Sequence, residues 1–306
     1  MTNRGDTQAS PEPEGKHEHP TAPSFTKTPT FAAHNADRYQ RRQLVTDVQD
    51  LTGRKLICYI DTSDEGINRD DTMGFADLLH NAVSSQPLDL LLHTGGGDID
   101  AAEKLIKMVR AVAGNAPFRI IVPDMAKSAG TLMVLAADLI LMSDTSELGP
   151  IDPQILHVGG NGERRWLSAL TYIKIYNELK EALDANGNDV TAQIMMSKLD
   201  PATLRHYLFV ADRARNLAEN LLKQGMFRIV PGNYTKIPAD LMDTDQWQTH
   251  GQVIDAQDAQ RIGLNVEILD RRCKLWDAIW TLYTHQRMAL GDNSKLFESE
   301  YVCLPM

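Results

Sequence analysis

Leu88-Asp89-Leu90-Leu91-Leu92, breaking into Thr94-Gly95-Gly96-Gly97, is the stretch that decides the fold. The apolar run reads as a buried strand. The glycines reach positive φ cheaply and let backbone amides point at a ligand. Two segments downstream belong with it: Lys127-Ser128-Ala129-Gly130, and Glu147-Leu148-Gly149-Pro150-Ile151-Asp152-Pro153-Gln154. Ser128 opens a run of small residues (Ala129, Gly130, Ala136, Ala137) that leaves room around its hydroxyl. Glycine turn and serine together read as an oxyanion-stabilising loop and a nucleophile.

Outward from this centre, short apolar runs alternate with helical spacing. Strands are expected at Leu56–Ile60, Leu88–Leu92, Phe118–Val122 and Leu139–Met142. Helices are expected over 72–83, from a cap at Asp100 (with Glu103 as its acidic partner) to Gly114, and from Ser128 onward. Such alternation implies a parallel sheet with right-handed crossovers, and continuously apolar strands imply a sheet covered on both faces. Beyond Gln154 the pattern turns helical: Trp166–Leu183, Val190–Leu199, and a long helix opened by Asp200-Pro201 and closed by Gly225. Residues 243–252 read as a polar loop, followed by a helix capped by Asp255, a strand over 264–269 and a helix over 274–287. The expected organisation is an unstructured N-terminal arm over 1–38, one α/β domain over 39–272, and a helix with a tail over 273–306. The last dozen residues are read as tail.

The formal net charge of -10 and the absence of basic stripes argue against a nucleic-acid surface. Cys58, Cys273 and Cys303 share no metal-type spacing and suit a reducing compartment. No run approaches the ~20 apolar residues of a membrane span, so a soluble, cytoplasmic protein is expected. His17 and His19 sit in the polar arm without a third ligand, and no metal or organic cofactor is expected.

Several chemistries compete for the central motifs. Neither G-x-G-x-x-G nor G-x-x-x-x-G-K-[ST] is present, which removes specific support for nucleotide binding. Taken alone, the glycines also fit a tight strand-to-helix turn, and Ser128 also fits a plain helix cap. A serine nucleophile needs a base. Asp152, His157, Lys174, His206 and His250 all lie downstream, and periodicity does not choose among them.

The ordered set Thr94-Gly95-Gly96-Gly97, Lys127-Ser128-Ala129-Gly130-Thr131, Ala136-Ala137-Asp138 and Glu147 through Gln154 resembles the serine dehydrogenase proteinase family. That family belongs to the Clp protease/crotonase superfamily and is related to signal-peptide peptidase A. The similarity extends to Thr249-His250-Gly251 and to 255–264, and covers roughly residues 55–270. It implies a Clp/crotonase-like α/β fold with an added helical segment from about Trp166 to Gly225. It also implies a serine peptidase, with Ser128 as nucleophile and Gly95, Gly96, Gly97 and the Ala129 amide around the oxyanion. Clp proteases use the order Ser, His, Asp, and the position matching their His falls here on Asp152 or Pro153. The resembled family is described with the order Ser, Asp, His, which Ser128, Asp152 and His250 satisfy. Signal-peptide peptidases use a lysine, for which Lys174 is the alternative base; Arg164 and Arg165 stand where some relatives carry that lysine.

The expected substrate is a peptide or protein. A homo-oligomer is expected from the superfamily and from apolar positions after Trp166 (Leu167, Leu170, Ile173, Met195, Met196). Two rivals differ in class. One is a catalytically weak scaffold or binding protein on the same fold, and the other is acyl-CoA chemistry, which would not require Ser128.

Overall fold

A computed structural model describes residues 27–158 and 162–306. In chain order the elements are α1 (Pro29–His34), α2 (Ala36–Thr52), β1 (Lys55–Asp61), α3 (Asp71–His80), β2 (Leu88–His93), α4 (Ile99–Ala113), β3 (Phe118–Ile121) and β4 (Met125–Ala126). There follow α5 (Ala129–Val134), β5 (Leu139–Met142), β6 (Glu147–Leu148), β7 (Gln154–Val158), β8 (Arg164–Ser168), α6 (Ala169–Ala185), α7 (Val190–Met196) and α8 (Pro201–Gln224). The chain closes with α9 (Lys236–Leu241), α10 (Ala256–Ile262), β9 (Val266–Ile268), α11 (Lys274–Ala289), β10 (Lys295–Ser299) and β11 (Cys303–Pro305). It divides into two units, Met1–Ala36 and Asp37–Met306, and the second holds the sheet and its covering helices. The arm expected to be unstructured falls largely outside the described residues, as do His17 and His19. Within it Pro29–His34 form a short helix capped by Thr28.

Alternation along β1 sets the architecture. Ile57 and Tyr59 face one core with residues of α3, α4, α5 and α8, while Leu56, Cys58 and Ile60 face another with Val45 and Val48 of α2 and Trp276, Ile279 and Leu282 of α11. Helices therefore cover both faces, as the continuously apolar strands require. The main sheet has seven strands in the order β11-β10-β1-β2-β3-β5-β9, with β1, β2, β3, β5 and β9 parallel. The expected α/β class, a mostly parallel sheet with flanking helices, is what forms.

Three expectations are corrected. The last dozen residues are not a tail: β10 pairs antiparallel with β1, and β11 pairs with β10. Their polar side chains are buried in ion pairs, Lys295 with Asp71 and Glu298 with Arg41, so the strand carries no simple apolar signature. Trp166 and Leu167 do not begin a helix; they lie on β8, which forms a separate antiparallel hairpin with β7. The α4 cap is Asp98, whose carboxylate accepts from the amides of Asp100 and Ala101.

Candidate active site

The C-terminal ends of the central parallel strands carry a strip of short backbone pairings. Ile67 bridges Gly97, Thr94 bridges Ala126, β4 pairs with β6, and Leu148 bridges Ile254. This strip brings the glycine turn, the Ser128 turn, the 147–149 segment and the 252–254 segment side by side. Crevices outside the carboxyl ends of parallel strands are where open α/β sheets bind ligands.

Two of the three glycines, Gly96 and Gly97, are dictated by close approach. A Cβ on Gly96, at φ +114, would lie 2.8 Å from the Ser128 Cβ, and one on Gly97, at φ +143, would lie 2.3 Å from the Ile67 amide nitrogen. The turn is held from behind: the Gly96 carbonyl accepts from the Ile67 N–H at 2.7 Å, and the Gly96 N–H donates to Thr94 Oγ1 at 3.1 Å. Thr94 Oγ1 in turn donates to the buried Asp61 at 2.9 Å. The amides of Gly95, Gly97 and Ala129 make no hydrogen bond among the described residues.

Ser128 stands at the N-cap position of α5 but makes no capping hydrogen bond with its side chain, which removes the support for a plain cap. Its backbone sits at φ 52, ψ -115. For a residue other than glycine that conformation costs of order 1–3 kcal/mol and is typically held by the surrounding structure at functional sites. Gly130 lets α5 close against the strip, because a Cβ there would lie 2.5 Å from Thr94 Cγ2.

Asp152 and His250, distant in sequence, come together: His250 Nδ1 lies 2.7 Å from Asp152 Oδ1. The carboxylate is buried, and its other oxygen accepts from Gln154 Nε2 at 2.6 Å. With Nδ1 engaged, Nε2 is the imidazole nitrogen left for another group. Lys174 belongs to α6. It is paired with Asp245 on the surface, and that hydrogen bond raises its pKa, the wrong direction for a base. His157 is exposed on β7, beside Arg164 and Arg165 on β8.

Residues 67–166 match the family described as ClpP-like SDH-type serine proteinase. The matched span contains the glycine turn, Ser128 and Asp152 and ends before His250, and the resemblance seen in the four motifs is borne out. Among curated proteins the chain is 31% identical over 190 residues to the uncharacterized protein MJ0137 of Methanocaldococcus jannaschii, covering 61% of this chain and 55% of that protein. It is 41% identical over 69 residues to the uncharacterized protein MJ1495 of the same organism, covering 22% and 23%. The chain thus spans about half the length of the first relative and about a quarter of the second. Similar solved structures include ClpP1 from Listeria monocytogenes, at 14% identity and TM-score 0.39, covering 73% of this chain and 96% of that one. A mutant of the same ClpP1 matches at 15% identity and TM-score 0.38, covering 74% and 98%.

Sequence reasoning missed the residues that hold the site together. Thr131 Oγ1 donates to the Ala126 carbonyl at 2.7 Å and accepts from the Gly149 N–H at 3.1 Å. Gln154 orients Asp152. Lys127 reaches across to Leu148, Gln252 and Glu147. Thr131, Gln154, Lys127 and Gly149 all occur in the quoted motifs, but nothing in their spacing reveals that they meet.

Proposed function

We propose that the protein is a serine peptidase acting on peptide or protein substrates. The hydrogen bond between His250 Nδ1 and the buried Asp152 carries this reading. Ser128 Oγ attacks the scissile carbonyl carbon while His250 Nε2 takes the hydroxyl proton. The negative oxygen that develops is stabilised by the amides of Gly95, Gly97 and Ala129; Gly96 supplies shape, since its own N–H is bound to Thr94. Collapse of the tetrahedral intermediate breaks the C–N bond, and His250 returns the proton to the leaving amine. Water then attacks the acyl-enzyme by the same route, and the acid leaves with Ser128 restored. Asp152 holds the ring in the tautomer that presents Nε2 and stabilises the imidazolium. The chemistry needs no metal or organic cofactor. No helix among the described residues is long and apolar enough to cross a membrane. Our reading takes the protein to act in the cytoplasm as a homo-oligomer.

The test is labelling with a fluorophosphonate probe and mapping of the modified residue. The expected result is a single adduct on Ser128 that disappears in Ser128→Ala, with the melting temperature nearly unchanged. Folded wild-type protein that takes no label would return the chain to the scaffold reading.

A further inference from the structure

We propose that Lys127 is a positioning residue of this site: its ammonium fastens the Ser128 turn to the two segments that carry Asp152 and His250. The proposal rests on the assignment of Ser128, Asp152 and His250 above.

Lys127 is buried and directly precedes Ser128. Its Nζ donates to the Leu148 carbonyl at 3.1 Å and to the Gln252 carbonyl at 3.3 Å, and pairs with Glu147 at 2.9 Å. An ammonium has three N–H donors and no acceptor; two of them meet these carbonyls, and Glu147 supplies the counter-charge. The acceptors come from two different segments, one leading into Asp152 and one following His250. A lysine needed only to fill space could be replaced by an aliphatic chain at little cost, because burying an ammonium is unfavourable unless each donor is met. Here each bond instead joins separate parts of the site. Gly149 makes the passage possible: a Cβ there would lie 2.7 Å from Lys127 Cδ. Catalysis by a serine and a histidine on different segments depends on their registration, and a displacement of about 1 Å can cost roughly a hundredfold in rate.

The experiment compares wild type with Lys127→Met and Gly149→Ala. The probe is a fluorophosphonate, read both as final labelling stoichiometry and as rate, alongside kcat and KM on a peptide the wild type cleaves. Stoichiometry reports how many sites are folded, and rate reports how well each is arranged. The expected result is full stoichiometry, labelling and kcat down tenfold or more, and KM within about twofold. Should Lys127→Met fail to fold, Gly149→Ala carries the test, since it displaces the stem and keeps the charge. Rates within twofold of wild type in the folded variants would make Lys127 a buried ion pair only and overturn the proposal. Absence of labelling in the wild type overturns the peptidase assignment itself, which is a separate failure.

Discussion

At the scale of single residues, the identity of the base separates two mechanisms. His250 has its Nδ1 on a buried carboxylate, whereas Lys174 is held charged by Asp245 at the surface. A lysine base must be neutral, and burial is what usually depresses its pKa; Lys174 has a shift in the opposite direction. His250→Ala is therefore expected to lower kcat/KM on a peptide substrate by about 10³-fold or more, while Lys174→Ala stays within a few-fold of wild type. The reverse outcome would place the protein mechanistically with lysine-dependent peptidases. Ser128, Asp152 and His250 were proposed from motifs whose order resembles a known family, and the structure joins Asp152 to His250. Lys127 and Gln154 occupy the same motifs, yet their parts in the site depend on contacts between segments, which a linear pattern does not encode.

At the scale of elements, the βα alternation was legible wherever a strand is apolar throughout or a helix carries one apolar stripe. It failed at both two-sided exceptions. In the β7–β8 hairpin, Leu156, Val158 and Trp166 remain exposed, so no face is distinguished and Trp166-Leu167 merges with the apolar spacing of α6. In β10 every residue is buried, but Lys295, Glu298 and Ser299 interrupt the apolar pattern. What fastens β10 is three-dimensional. Phe297 is fully buried, with ring centroids 5.1 Å from Tyr59 and 6.0 Å from Phe75. Gly74 leaves it room, since a Cβ there would lie 2.4 Å from the Phe297 ring. Phe297→Ala removes a full aromatic from a closed core and is expected to cost about 3–5 kcal/mol, measurable by urea unfolding. A loss under about 1 kcal/mol would mean that the C-terminal strand is peripheral after all.

For the whole molecule, two properties follow from what the fold leaves outside and what it seals inside. Leu170 and Ile173, read from sequence as free apolar positions, pack on the chain's own core, but Leu156, Val158, Trp166, Val190, Ile194 and Met195 stay exposed. Apolar surface of this kind marks interaction sites, and light scattering at micromolar concentration is expected to give a mass above the 34.1 kDa of one chain; a monomer mass would remove the homo-oligomer from the proposed function. Inside, His93 at the end of β2 lies beneath α11, with Tyr283 Oη 3.1 Å from its Nδ1 and Asp124 Oδ2 at 3.5 Å. Burial lowers its pKa from 6.5 to about 4; Asp124 opposes that shift and Arg287 reinforces it. The folded state thus holds His93 neutral, while the unfolded chain binds a proton below 6.5. Between those values the unfolded state carries more protons, so stability rises with pH and is lost as pH falls from about 6.5 towards 4. Glu300 acts in a lower window: its hydrogen bond to Lys55 depresses its pKa from 4.5 to about 2, and that contribution is lost only as pH falls through this range. Melting temperatures of wild type and His93→Asn, measured from pH 7.5 down to 4.5, separate the two. Wild type is expected to lose stability steadily below 6.5, and the asparagine variant, which keeps a polar partner for Tyr283 but has nothing to titrate, to follow a flatter curve. Parallel curves would show that His93 is not the group through which mild acid loosens this core.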